Sequence, residues 1–224
     1  MTYQQVMDEL AHMGTAQNRK IYQRHGSGEN LFGVSFANLK ILKKNIKIDH
    51  QLALQLWASK NTDARTLAIM IADPKSTDDQ LLDEWLADMQ YYMLVDTLVS
   101  HLASKSPFAR KKMEQWTKSD DEWISSAGWQ LLAQLAMTDE TFTDEYLESY
   151  IKEITSRIHT AKNRTKYAMN NALIAIGSRN SALKEKSLVA AGQIGAVDVD
   201  HGDTSCKTPD AATYIEKVWV KKKR

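Results

Sequence analysis

Apolar positions along this chain recur at helical spacing almost from end to end. The pattern predicts helices over roughly 2–13, 15–25, 35–47, 49–59, 62–73, 77–89, 91–105, 108–117, 120–137, 143–159, 163–178, 181–195 and 209–221, with no convincing alternating strand. In LVDTLVSHLASK, Leu94, Leu98 and Leu102 recur at i, i+4 and i+8 with Val95 beside them, forming one core stripe. Asp96 falls off that stripe, on the same side as Tyr92 one turn earlier. The helix DEWISSAGWQLLAQLAMT repeats the arrangement: Ile124, Ala127, Gly128, Leu131 and Leu135 face inward, and Ser126, Trp129 and Ala133 lie opposite. In NRTKYAMNNALIAIG, Met169, Ala172, Leu173 and Ile176 form the core face, while Arg164, Tyr167 and Asn171 share the other. A surface helix would fill that second face with Lys and Glu, so three successive helices predict a second face in use. The commonest use of a single aromatic there is packing on a neighbouring helix.

Boundary signals agree with this segmentation. Thr77-Asp-Asp-Gln80 and Ser119-Asp-Asp-Glu122 read as capping boxes. Asp49 and Thr62 read as N-caps, and Gly14, Gly26 and Gly195 as stops. Starts at 35, 77, 120 and 163 give steps of 42, 43 and 43 residues. That is the period of HEAT-type helix pairs, each of which buries its apolar face by stacking on the next. The predicted fold is therefore all-α, a HEAT-like-repeat α-solenoid of about six helix pairs, in a single domain over 1–224 with 196–224 a C-terminal loop and final helix.

Composition narrows the function without fixing it. Only 9 Gly and 3 Pro occur in 224 residues, as expected of helices joined by short turns. One cysteine, Cys206, excludes an intrachain disulfide and fits a reducing compartment. The amino-terminal MTYQQVMDELAHMG is amphipathic without an apolar core, and no run approaches the length of a membrane span, so a cytoplasmic protein is expected. A net charge of +1 gives no global attraction to nucleic acid. The charges are uneven, however. Between Ile158 and Lys186, Lys162, Arg164, Lys166, Arg179, Lys184 and Lys186 face one acid, Glu185. Lys40, Lys43, Lys44 and Lys47 form an acid-free cluster, and the chain ends KKKR. Such strips suit contact with phosphates, and equally a solvated lysine face. The glycine-rich GSGENLFG (26–33) lacks the Gly-Lys-Ser/Thr and preceding strand of a phosphate loop. His201-Gly-Asp203 with Asp198, Asp200 and Cys206 matches no zinc spacing and reads as a turn, so no metal or cofactor is expected.

Several blocks carry a family likeness: Gly33-Val-Ser-Phe-Ala-Asn-Leu-Lys40, Leu54-Gln-Leu-Trp57, Asp63-Ala-Arg-Thr-Leu-Ala68, Tyr92-x-x-x-Asp96 and Asp121-Glu-Trp123. In order and spacing they resemble the DNA alkylation repair proteins, the HEAT-like-repeat DNA glycosylases, over about residues 2–195. The resemblance implies hydrolysis of the N-glycosidic bond of cationic alkylated purines, such as 3-methyladenine and 7-methylguanine, in duplex DNA. A positively charged purine is already a good leaving group, so one carboxylate that stabilises the oxocarbenium-like sugar and orients water suffices. The likeness puts Asp96 in the place of that carboxylate and Tyr92 where the family has Trp. Ser126 stands where the family has a phosphate-binding Arg, and Asn171 where a second aromatic is expected. Trp129, Lys162, Arg164 and Lys166 are the remaining candidate DNA contacts.

Three functions are compatible with these residues. The first is a glycosylase acting through Asp96; the second is a non-catalytic binder of duplex nucleic acid on the same scaffold, favoured by Ser126 and Asn171. The third is a protein-interaction scaffold, a common use of helical solenoids.

Overall fold

The computed structural model describes residues 1–222; Lys223 and Arg224, the end of the basic tail, lie outside the described residues. Those described form α-helices and one 3-10 turn, with no strand among them. The helices are α1 (Tyr3–Met13), α2 (Ala16–Arg24), α3 (Phe36–Ile46), α4 (His50–Ala58), α5 (Thr62–Ile71), α6 (Asp79–Ala87) and α7 (Tyr92–His101), followed by the 3-10 turn Ala103–Lys105. Then come α8 (Ala109–Trp116), α9 (Glu122–Thr138), α10 (Asp144–Arg157), α11 (Asn163–Gly177), α12 (Ser181–Ile194) and α13 (Ala211–Lys222). Every helix expected from the periodicity is present. The chain divides into two compact units, one of Met1–Ala109 with Gly202–Thr204, the other of Arg110–His201 with Ser205–Arg224.

The caps correct the sequence reading by a residue or two. Asp78, not Thr77, caps α6 by accepting from the Leu81 amide, while the Thr77 hydroxyl donates back to the Asp73 carbonyl. Asp121, not Ser119, caps α9 through the Trp123 and Ile124 amides. Asn61, not Thr62, caps α5. In each case an acidic or amide side chain beside the hydroxyl is better placed to accept from the free N–H groups of the first turn.

In the first unit α3 packs on α5 and α5 on α7. These stacked helices start at 36, 62 and 92, so the interval is 26 to 30 residues, shorter than the expected period. Its helices are short, 9 to 11 residues. The GSGENLFG segment is a structural staple here. The Asp63 carboxylate, 2% exposed, accepts from the amides of Phe32, Gly33 and Val34 at 2.6 to 3.0 Å. Burial nonetheless pushes its carboxyl above the usual range, the three amides pulling the other way. Gly33 sits at φ +82°, and a Cβ there would lie 2.6 Å from the Arg19 amide nitrogen, so only glycine lets the loop lie against α2. Trp57 stacks flat on Trp85 at 4.3 Å, with the Arg65 guanidinium over Trp57 and paired to Asp88.

The second unit has longer helices, 14 to 17 residues in α9 to α12. There α11 packs along α9 and α12 on both α10 and α11, and the stacked starts at 122 and 163 are 41 residues apart, the expected HEAT-like interval. Gly128 lets the end of α8 approach α9: a Cβ would meet the Thr117 amide nitrogen at 2.3 Å. Arg110 lies over the rings of Phe142 and Tyr146, and the Tyr146 hydroxyl donates to Glu114 at 2.6 Å. α13 is fastened by Trp219, whose indole N–H donates to the Gly177 carbonyl at 2.9 Å.

Candidate nucleic-acid interface

In the first unit, the core stripe of α7 (Leu94, Val95, Leu98) is buried, as its spacing requires. Tyr92, Asp96 and Ser100 follow one another a turn apart on its other side, all half-buried. The Tyr92 ring is held. Its hydroxyl hydrogen-bonds the His25 Nδ1 at 2.8 Å, and it meets the rings of His25 and Tyr91 edge-on at 5.8 and 5.6 Å. His25 is the C-cap of α2, so the turn that begins the glycine-rich loop orients the aromatic that precedes Asp96. The Asp96 carbonyl accepts the Ser100 hydroxyl at 2.7 Å, which also lies 2.9 Å from the His101 Nδ1.

His101 closes α7 beside a group of cations. Partial burial, then the charges of Lys43, Lys105 and Lys40, hold its imidazole below the ordinary range. None of these three lysines makes an ion pair among the described residues. Unbalanced cations that oppose protonation of a neighbour mark a place where an anion would be stabilised.

In the second unit the arrangement differs. Residues Ser125 to Trp129 are all buried, so α9 has no open second face along this stretch. Ser126 is 5% exposed; Trp129 is fully enclosed and meets Tyr150 of α10 edge-on at 5.9 Å. The expectation that Trp129 faces a groove is thereby corrected: α11 packs along α9, and Tyr150 of α10 lies against the indole. Lys162 is exposed at the start of α11, its ammonium donating to the Asp120 carbonyl at 2.8 Å. Arg164, Lys166 and Asn171 are half-buried along the same helix, with the Arg164 amide donating to Glu122 at 2.7 Å. Tyr167 meets His201 edge-on at 5.6 Å, and Asn163 exchanges two hydrogen bonds of 2.7 Å with the Asp200 backbone. This face of α11 therefore anchors the loop after Gly195. The basic strip is partly engaged too: Arg179 donates to the Ala136 and Phe142 carbonyls, Lys184 pairs with Glu216, and Lys186 with Glu148.

A family model described as DNA alkylation repair enzyme matches residues 6–215. The chain belongs to that family. An uncharacterized protein of Listeria monocytogenes is 29% identical over 223 residues, and one of Listeria innocua 28%, each alignment covering 97% of both chains. A solved structure described as "a new family of proteins related to the HEAT-like repeat DNA glycosylases with affinity for branched DNA structures" superposes with a TM-score of 0.91 at 32% identity. It covers 99% of this chain and 95% of that one. The all-helical HEAT-like fold expected from the sequence is thus the fold of this DNA alkylation repair family member.

Within that family frame, Tyr92 and Asp96 share one unit and one helix face, while Ser126, Trp129, Lys162, Arg164, Lys166 and Asn171 belong to the other unit. Sequence reasoning missed His25, which comes to Tyr92 from 67 residues away. It also missed that the charges of Lys105 and of Lys40 and Lys43 act on His101, for which the acid-free run on α3 was half of the signal. Among the described residues no three His, Cys, Asp or Glu side chains lie close enough to hold a metal ion, and no helix is long and apolar enough to cross a membrane.

Proposed function

We propose that this protein binds branched DNA by its phosphates, with α7 and α3 of the first unit forming part of the contact surface. The observation that carries this reading is the group of lysines without ion pairs, Lys40, Lys43 and Lys105, around His101 at the end of the helix that presents Tyr92 and Asp96. Cations on a backbone-contacting surface act by releasing condensed counterions, so affinity falls steeply with salt. The relative with affinity for branched DNA supports the choice of substrate, because its likeness extends over nearly the whole chain. The test is fluorescence anisotropy with a four-way junction against a linear duplex of the same sequence. Tighter binding of the junction is expected; equal binding of both would remove the preference from the proposal.

A second reading, excision of cationic alkylated purines, is favoured by one specific feature. Asp96 stands half-buried one turn beyond an aromatic whose orientation is fixed by His25, where the family resemblance puts the hydrolytic carboxylate. A carboxylate there would stabilise positive charge developing on the sugar and hold the attacking water, while Tyr92 packs against the sugar face. Against it stands Ser126, which is buried and cannot replace the paired N–H groups of an Arg on a phosphate. Single-turnover release of 7-methylguanine from methylated duplex DNA decides between them. Release by the wild type that vanishes in Asp96→Asn establishes the glycosylase; no release from a protein that still binds DNA leaves the binding role alone.

A further inference from the structure

α2 has no buried side chain, so hydrogen bonds rather than an apolar stripe hold it in place. Two of its side chains, three residues apart and so on one face, make them. The Tyr22 hydroxyl donates to the Val34 carbonyl at 3.0 Å, at the end of the loop that Asp63 staples. Half-buried His25 stands 2.8 Å from the Tyr92 hydroxyl through its Nδ1, with the two rings edge-on. All of these residues belong to the first unit. The imidazole is fixed, and only one of its two nitrogens is used.

A phenol hydroxyl is the better donor of this pair and a bare ring nitrogen the better acceptor, so the hydrogen runs from Tyr92 to Nδ1. A neutral imidazole has one N–H, and accepting at Nδ1 puts it on Nε2. Nε2 makes no hydrogen bond among the described residues and is not enclosed, so this donor faces solvent. Its surroundings favour an anion. α2 carries Arg19, Lys20 and Arg24 and no acid. The charge of Arg19 bears on Asp63, while Lys20 and Arg24 make no ion pair among the described residues. Of the acids in this region, Glu29 accepts from Gln23 at 2.7 Å and Asp63 gives its carboxylate to three amides. Asp96 lies a turn beyond Tyr92, whose side chain leans toward the start of the helix and away from it.

We propose that His25 contacts DNA: in the tautomer that Tyr92 selects, its Nε2–H donates to a phosphate oxygen of the backbone. Base edges also carry acceptors, but cations on the helix that presents the donor favour a phosphate. The proposal rests on the DNA-binding reading above and adds a contact at the start of α7. Tyr92 and His101 are nine residues apart, about 14 Å along the helix axis, so this phosphate is separate from any held by the lysines. A neutral N–H fixes a phosphate without releasing counterions, whereas a lysine contact does both. His25 then has two tasks. To orient Tyr92 it needs only an acceptor at the Nδ1 position; to hold a phosphate it also needs the donor at Nε2.

The first measurement contains no DNA. Long-range proton–nitrogen NMR of the full chain reads the tautomer of each histidine. Hydrogen on Nε2 of His25 is expected in the wild type, and a mixture of tautomers in Tyr92→Phe. Hydrogen on Nδ1 in the wild type overturns the contact and leaves the DNA reading standing. The second measurement is four-way-junction binding by wild type, His25→Asn and His25→Gln at about pH 8, where imidazoles are neutral. Asn places an acceptor close to the Nδ1 position and nothing at Nε2, whereas Gln reaches the Nε2 position with an amide donor. His25→Asn should bind about tenfold more weakly, on the scale of a hydrogen bond to a charged group, and His25→Gln should lose less. Both should keep the wild-type salt slope, because no cation is removed. Wild-type affinity in His25→Asn, or a larger loss in His25→Gln, makes His25 a support for Tyr92 alone and overturns the contact. An affinity loss that follows a fall in Tm, rather than the side chain supplied, overturns it too. No junction binding by the wild type overturns the DNA reading and this contact together.

Discussion

α7 and α9 begin from the same sequence pattern and end in different environments. Each has a core stripe at helical spacing and, opposite it, an aromatic with polar neighbours. In α7 the second side stays half-open, with Tyr92, Asp96 and Ser100 in a row. In α9 the second side is packed shut, and Trp129 becomes one of the largest fully buried side chains of the protein. Periodicity tells that a helix has two faces in use but not which neighbour uses the second, because that depends on helix length and on what stacks beside it. α9 has 17 residues with α10 and α11 against it, whereas α7 has 10.

Substitution of the two aromatics should separate these helices, and Trp129 should show the larger effect. Trp129→Ala should destabilise the protein by about 3–5 kcal/mol, the scale for removing a fully enclosed aromatic. A thermal melt would show it as a drop in Tm; an unchanged Tm with weakened DNA affinity would instead return Trp129 to the DNA surface. Tyr92→Phe should behave in the opposite way. It removes the hydroxyl that is bonded to His25 and should cost about 1 kcal/mol of stability. Its main effect should be a measurable drop in DNA affinity, because the ring is no longer oriented.

A smaller effect separates the α7 end by pH. His101 is held below the ordinary imidazole value in the folded chain, first by burial and then by Lys43, Lys105 and Lys40. The unfolded chain therefore takes up this proton at a higher pH than the folded one. Stability is fully present above the unfolded imidazole value and falls as pH drops through it toward the folded value. Denaturant midpoints measured between about pH 7.5 and 5.5, the range around the ordinary imidazole value, should fall, and should fall less in His101→Gln. Identical pH dependence in the two proteins would mean that neither burial nor the cations hold this imidazole down.

Much of the fold could be read from the sequence, and the reasons are local. Helix existence followed from apolar spacing, which Leu94, Leu98 and Leu102 illustrate, and the stops at Gly14 and Gly195 from turn chemistry. The start signals were displaced because Thr77, Ser119 and Thr62 each have a better acceptor close by. The Asp63 staple was invisible because its three amides lie 29 to 31 residues away. At the site, Tyr92 and Asp96 needed only helical geometry to be placed together. His25 beside Tyr92 and the charges of Lys105 and Lys43 on His101 depend on which helices pack, which spacing within one helix does not contain.

Whether DNA phosphates meet the cations at the end of α7 can be measured through the salt dependence of four-way-junction binding. The comparison is between wild type and a Lys43→Ala/Lys105→Ala double variant. If both lysines touch phosphates, the slope of log affinity against log salt should become shallower by roughly 0.9 for each lysine removed, with weaker binding at every salt and an unchanged Tm. An identical slope and affinity in the variant would contradict phosphate binding at this end of α7 and move the DNA surface elsewhere.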